Sequence, residues 1–305
     1  MQLQHRLPPL VNPIAAIRRG GSFTDVNMLF VFGLLHGERL PLLMTFLSSK
    51  LSKQYALPWR GCEGWSKYNQ GHGFSEGLQG HIPDIGPVLD DCDAAFAAFR
   101  ADHPPPLPFF LYGESLGGAI ALLLHLRGKD RGLWRDGAVL NGAMCGVSPR
   151  FKPPWPLEHL LSAAAAVAPT WRVAFTRGNI PERSFKVEWK RKRKLASPRR
   201  TTAPPRAATA LELLRVCREL QGRFEEVDLP LLVVHGGEDT VCDPACVEEL
   251  HRRAGSEDKT LRVYPGMWHQ IVGEPEENVE KVFDEIITWL KYRAAKAIAN
   301  AGKQQ

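Results

Sequence analysis

The sequence predicts an α/β fold, a mostly parallel sheet covered by helices on both faces. Three observations predict it. Short apolar runs alternate with stretches of helical periodicity along the 305-residue chain. The runs are nearly continuous in hydrophobicity and bounded by Gly or Pro, as strands buried on both faces are. The helical stretches carry one apolar face each.

Taken in order, the first strand is expected over 28–35 (MLFVFGLL), and the stretch 43–68 offers neither a helix nor an apolar strand. A helix follows over 85–100, where Ile85, Val88, Leu89, Cys92, Phe96 and Phe99 recur at steps of three and four. A second strand is expected over 107–112 (LPFFLY), leading through "GES" into the helix-like LGGAIALLLHL, and a third over 137–143. From 148 to 222 the rhythm breaks. This Pro-, Ala-, Arg- and Lys-rich stretch contains "KRKRK" (190–194), shows no buried strand and closes in a helix-like 208–222. An insertion of that length is either a lid or a disordered excursion. Strands resume over 229–236 and 259–266. In the last helix Val279, Val282, Phe283, Ile286, Ile287 and Leu290 form the apolar face. That helix opens with Pro275, Glu276 and Glu277 and closes with Lys291 and Arg293, matching its dipole at both ends. Residues 21–295 are therefore expected to form one domain, with tails at 1–20 and 296–305.

A hydrophobic fraction of 44% and a charged fraction of 24% allow a large core. The formal charge of +6 is concentrated around KRKRK, so it argues for neither a nucleic-acid fold nor a nucleic-acid partner. No apolar run of about 18 residues is present to span a bilayer, and the N-terminus lacks a signal peptide's apolar core. The six cysteines show no paired zinc spacing, so no metal is expected. Free thiols and a cytoplasmic setting are the expectation.

The chemistry starts at "GESLGG". Gly113, Ser115 and Gly117 make G-x-S-x-G between a strand and a helix, a turn that exposes the serine hydroxyl. The Leu116 amide, at the helix start, can meet a developing oxyanion. A serine needs a base, and the base needs an orienting group. In this fold class the chain order is serine, acid, histidine. Asp239 lies just beyond the strand 229–236, and His269 in the loop after 259–266. Glu238 and Asp243 stand beside Asp239 as alternatives, Asp243 being better placed to cap the helix that starts at Pro244. His235, at a strand end, reads as a residue that orders the loop carrying Asp239. Cys242 reads as a buried, inert thiol.

These residues sit in longer stretches: NQGHGFSEGLQGHIPDI, GESLGGAI, NGAMCGVSPRFKPPWPLEHLL, LPLLVVHGGEDTVCDP and YPGMWHQIVGEP. From about 69 to 292 the chain resembles plant monoacylglycerol lipase-like and caffeoylshikimate esterase-like serine hydrolases of the α/β-hydrolase fold. The resemblance implies Ser115 as nucleophile, His269 as general base and acid, Asp239 as orienting carboxylate, and 148–222 as a helical cap over an acyl pocket. It implies no cofactor and a lipid monoester as substrate, monoacylglycerol first. The apolar WPLEHLLSAAAAVAPTW of the cap suits acyl binding or peripheral membrane contact, while KRKRK reads first as a solvated cap face and second as an anionic-lipid patch. His72, in "GHG", reads as a loop-ordering residue. The family's second oxyanion amide comes from a His-Gly loop after an early strand. Here His36–Gly37 is followed by Glu38, so either Glu38 donates or "LHGE" is an upstream hairpin turn. The disturbed stretch 28–68 gives the alternative reading, a catalytically impaired homologue that serves as a ligand-binding or interaction protein.

Overall fold

The computed structural model describes residues 28–34, 62–66, 77–101, 107–149, 152, 157–173, 180–196 and 204–301. His36, Glu38 and His72 lie outside the described residues. The strands are β1 (Met28–Leu34), β2 (Cys62–Ser66), β3 (Phe109–Glu114), β4 (Ala138–Asn141), β5 (Leu231–Gly236) and β6 (Lys259–Tyr264), and they form one sheet in the order β2-β1-β3-β4-β5-β6. β3 through β6 are parallel throughout. β1 runs antiparallel to both neighbours, with Met28 opposite Glu114 and Gly33 opposite Phe109. Two features lie beyond what the sequence showed. The stretch 43–68 does hold a strand, β2, whose sequence CEGWS is not apolar. The first strand is also reversed relative to the rest.

The helices are α1 (Gly86–Ala101), α2 (Leu116–Gly128), α3 (Leu157–Val167), α4 (Ile180–Ser184), α5 (Glu188–Leu195), α6 (Ala207–Gly222), α7 (Pro244–Arg253) and α8 (Glu276–Ala301). Alternating strand residues divide the core into two layers. Phe109, Leu111, Leu140, Leu231 and Val233 face α1, α2, α6 and α7. Phe110, Tyr112, Val139, Leu232 and Val234 face α8, where Val279, Val282, Phe283, Ile286 and Leu290 cover them. This is the continuous burial that the unbroken hydrophobic runs require. α8 outruns its expected end at Arg293 because AAKAIANA contains no helix breaker.

Between β4 and β5 the insertion is helical. α3 packs on α6 around Leu161, Val173, Ala207 and Leu214. α4 and α5 instead lie on the loop after β6, where Lys186 Nζ donates to the Gly266 carbonyl (2.8 Å) and the Val187 amide to the Gly273 carbonyl (2.9 Å). The KRKRK run lies in α5, and the solvated-face reading holds for only part of it. Lys190 and Lys194 are buried, while Lys192 and Arg193 are exposed. Lys190 and Lys194 share a face because they are one helical turn apart. Lys190 Nζ donates to the Glu274 carbonyl (2.7 Å) and lies 3.3 Å from the Glu276 carboxylate.

Candidate active site

Ser115 is the single residue between β3 and α2, and it takes the strained backbone φ 52°, ψ −118°. Such a conformation costs roughly 1–3 kcal/mol for a non-glycine residue and persists only where its surroundings fix it. They do so here through the backbone. The Ser115 amide donates to the Asn141 carbonyl (3.1 Å), and its own carbonyl accepts from Gly118 (3.0 Å) and Met144 (2.9 Å). The flanking glycines are explained by close approach. A Cβ on Gly113 would lie 2.3 Å from the Gly117 carbonyl oxygen, and one on Gly118 would lie 2.5 Å from the Ala143 Cβ. The elbow has no room for either.

Asp239 ends the turn after β5, and His269 lies in the loop after β6. The two loops are laced together by Glu238 N–H donating to the Met267 carbonyl (2.9 Å). Gly236 permits this lacing, since a Cβ there would come within 2.3 Å of the Trp268 carbonyl. The three residues singled out in the sequence meet. His269 Nε2 lies 3.0 Å from Ser115 Oγ, and His269 Nδ1 lies 2.7 Å from Asp239 Oδ2. All three are buried, His269 at 1% exposure. Asp239 Oδ1 accepts from the Val241 and Cys242 amides at 2.7 and 3.0 Å. Burial resists ionisation of Asp239, but the charge of His269 and hydrogen bonding from His235 and His269 outweigh it and hold the carboxyl well below its usual range. Asp243 is the N-cap of α7, accepting from the Ala245 amide at 3.1 Å, and Glu238 has no contact with His269 among those observed.

Three neighbours complete the surroundings. Cys242 is fully buried with its thiol against the Ser115 hydroxyl, and burial pushes that thiol well above its ordinary value. It remains a thiol, as the sequence suggested. With Asp239 and His269 it brings three donor atoms within 4.8 Å of one another. The Asp239 and His269 atoms, however, already bind each other, and a protonated thiol is a poor ligand. The set suits proton transfer. Glu114, the variable residue of G-x-S-x-G, was not anticipated. It is buried, accepts from Tyr112 Oη–H at 2.6 Å and faces Asn141 Nδ2 at 3.4 Å. Burial raises its pKa, opposed by the Tyr112 bond and the charge of His269. The available signal was that Tyr112, Glu114 and Asn141 are polar residues inside otherwise apolar strands, with Glu114 and Asn141 in register. Glu274 was missed too. Fully buried, it accepts the Trp268 amide on Oε1 at 2.7 Å and so fixes the residue before His269.

Leu116 is the first residue of α2, so its amide is one that a helix leaves without an internal partner. Met28 is the end of β1 beside Glu114, and Leu34 leaves the sheet at the Phe109 edge.

The protein family described as serine aminopeptidase, S33, matches residues 56–276. The chain belongs to this family. Its relatives include the caffeoylshikimate esterase of Arabidopsis thaliana, 32% identical over 74% of this chain and 68% of that protein. The monoacylglycerol lipase of Mycolicibacterium smegmatis is 28% identical over 73% of this chain and 75% of that protein. Among solved structures, the monoacylglycerol lipase of Paleococcus ferrophilus superposes with a TM-score of 0.66 at 20% identity, covering 85% of this chain and 93% of that one. A soluble variant of the Saccharomyces cerevisiae monoglyceride lipase, in complex with a substrate analogue, gives 0.64 at 20% identity, covering 76% and 78%. The fold is thus the α/β-hydrolase fold, and the chain is an ester-cleaving member of it. No described helix is long and apolar enough to cross a membrane.

Proposed function

We propose that the chain hydrolyses lipid monoesters, monoacylglycerol first among them, through an acyl-enzyme on Ser115. The unbroken line Ser115 Oγ–His269 Nε2 and His269 Nδ1–Asp239 Oδ2 carries this reading. His269 takes the hydroxyl proton as Ser115 attacks the ester carbonyl, then returns it to the leaving alcohol. Water, activated by the same imidazole, releases the acid. Asp239 holds the imidazole in the tautomer that keeps Nε2 free to accept, and the Leu116 amide donates to the oxyanion. The exposed Leu160, Val167 and Trp171 of the cap support contact with a lipid surface, from which such a substrate would be drawn. The test is a fluorophosphonate probe followed by hydrolysis of monoacylglycerol and of a phenolic ester side by side. Labelling that survives Ser115→Ala rejects the nucleophile, and preference for the phenolic ester rejects the lipid substrate.

The direction of β1 favours a second reading, an enzyme that acylates but turns over slowly. A strand parallel to β3 would end beside Ser115 and hand its following loop to the oxyanion, whereas Leu34 exits at the opposite edge. Glu38, the proposed second donor, follows Leu34 in sequence and lies outside the described residues. Losing one donor costs about 10²–10³ in kcat. Stoichiometric labelling with turnover as fast as an intact homologue would reject this reading.

A further inference from the structure

We propose that His235 is a positioning residue for the reaction: its Nε2–H faces the Asp239 carboxylate at close range and anchors it electrostatically to the sheet. This rests on the assignment of Ser115, His269 and Asp239 given above. His235 occupies the next-to-last position of β5, is 0% exposed, and brings Nε2 to 3.1 Å from Asp239 Oδ2. The same oxygen receives His269 Nδ1 at 2.7 Å. One carboxylate oxygen thus lies between two imidazoles, one from the base and one from a strand.

The proton of His235 can be placed by elimination. Both ring nitrogens are buried without a hydrogen bond of regular geometry, but Nε2 faces an acceptor, Asp239 Oδ2 at 3.1 Å, and Nδ1 faces none. A proton there would leave a buried N–H unmatched and point the bare Nε2 lone pair at a carboxylate oxygen. A proton on Nε2 leaves only an unused lone pair at Nδ1, the smaller cost. The Nε2 contact meets the distance for an ion pair but not the angle for a straight hydrogen bond. The bond is bent, and its grip is chiefly electrostatic.

The origin of each donor explains why this contact matters. The amides on Oδ1 belong to Val241 and Cys242, which follow Asp239 in its own loop and are bridged to the irregular stretch 146–148 rather than to a strand. His269 is the group to be oriented, so it cannot serve as the fixed reference. His235 comes from a strand paired in register with β6, His235 opposite Val263, and flanked by β4 on its other side. It alone among the four ties the carboxylate directly to the sheet. Without it Oδ2 loses its one strand-borne contact, and the imidazole bound to Oδ2 is held less tightly. Positional error of this kind lowers the rate of proton transfer and leaves ester binding alone.

The test compares His235→Phe, which keeps a ring of similar size without a donor, with His235→Gln, whose amide offers an N–H near the Nε2 position. Active-site titration with a fluorophosphonate first counts competent sites, and kcat and KM are then expressed per titrated site. His235→Phe should lose about tenfold in kcat, the lower end of what a hydrogen bond to a charged group is worth because this contact is bent, with KM unchanged. His235→Gln should recover most of that loss. The proposal is overturned if kcat per site in His235→Phe stays within twofold of the parent, or if His235→Gln falls as far. It is overturned too if the loss lies wholly in the number of titratable sites, which marks a folding role. Ser115→Ala separates the two claims. If that variant still labels and turns over, the assignment of the nucleophile falls and this proposal with it. If it is dead while His235→Phe is unaffected, only this proposal falls.

Discussion

Replacing Glu274 by leucine should slow the enzyme without touching a reacting atom. Glu274 is fully buried, and its Oε1 accepts the amide of Trp268, the residue before His269, at 2.7 Å. Its Oε2 makes only a long contact to Asn278 Nδ2 (3.5 Å) and a loose one to Lys186 Nζ (3.9 Å). Lys186 is 41% exposed, so losing that pair costs little. Lys190 binds the Glu274 carbonyl, which the substitution keeps. The loss is therefore one charge-assisted bond to an amide, about 1.5–3 kcal/mol. At about 2–4 °C per kcal/mol for a domain of this size, Tm should fall by roughly 3–12 °C. The histidine loop keeps its bonds to Ser184 and to Glu238, so it should loosen rather than detach. A misplacement of about 1 Å can cost 10² in rate, and a partial one should cost about tenfold in kcat. Glu274→Gln keeps an oxygen facing Trp268 and gives up only the charge, about half the bond's strength. Thermal melts and kcat on a soluble ester, measured below the lower Tm, read both effects. The reasoning is refuted if Glu274→Leu keeps Tm within a degree or so and kcat within twofold, or if Glu274→Gln loses as much as Glu274→Leu.

His269→Ala and Asp239→Asn should each lower kcat by about 10⁴ while fluorophosphonate labelling of Ser115 slows in parallel; a loss under tenfold in either variant would contradict the assigned role. Gly118→Ala should cost about 1–3 kcal/mol of stability because the new Cβ meets the Ala143 Cβ at 2.5 Å, and Ala143→Gly in the same chain should restore most of it. A double variant no more stable than Gly118→Ala alone would show that the clash lies elsewhere. Burial pushes the Cys217 thiol from 9.0 up to about 12. The fold thus favours its neutral form, and the stability so gained is complete below the unfolded value and is lost as pH rises between the two. Melts from pH 8 to 11 should therefore fall less steeply in Cys217→Ala than in the parent, and identical slopes would remove Cys217 as a cause.

Much of the site was legible because it rests on local backbone chemistry. A serine held at a sharp strand-to-helix turn demands small neighbours, and "GESLGG" supplies them, although the glycine that clears Ala143 is Gly118 rather than the Gly117 of the motif. Asp239 and His269 stood at the ends of runs whose unbroken hydrophobicity marked them as inner parallel strands, and such strands present their following loops at one edge. Where that logic does not apply, the sequence was mute. Among the described residues β2 pairs with β1 at the edge of the sheet, and CEGWS lacks the apolar run that marks the inner strands. The run 28–34 read clearly as a strand, yet apolar content says nothing of direction, and its antiparallel pairing became visible only in the register with β3.

The positioning residues were hidden for a related reason. Whether Lys190 faces solvent or a carbonyl depends on what folds beneath it, and beneath it lies the chain from Gly273 to Glu276, some 84 residues away in sequence at Glu274. That distance carries a consequence for catalysis. α4 and α5 belong to the insertion, but their bonds run to Gly266, Gln270, Gly273 and Glu274, on both sides of His269. The Ser184 carbonyl even takes the amide of Gln270, the residue after His269. A displacement of this half of the insertion therefore pulls on the histidine loop itself. α3 makes no such bond to the loop among the described residues, and packs on α6 instead. The two halves of the insertion are thus mechanically distinct. One packs on α6 and exposes Leu160, Val167 and Trp171, while the other is bonded to the loop that brings His269 to 3.0 Å from Ser115.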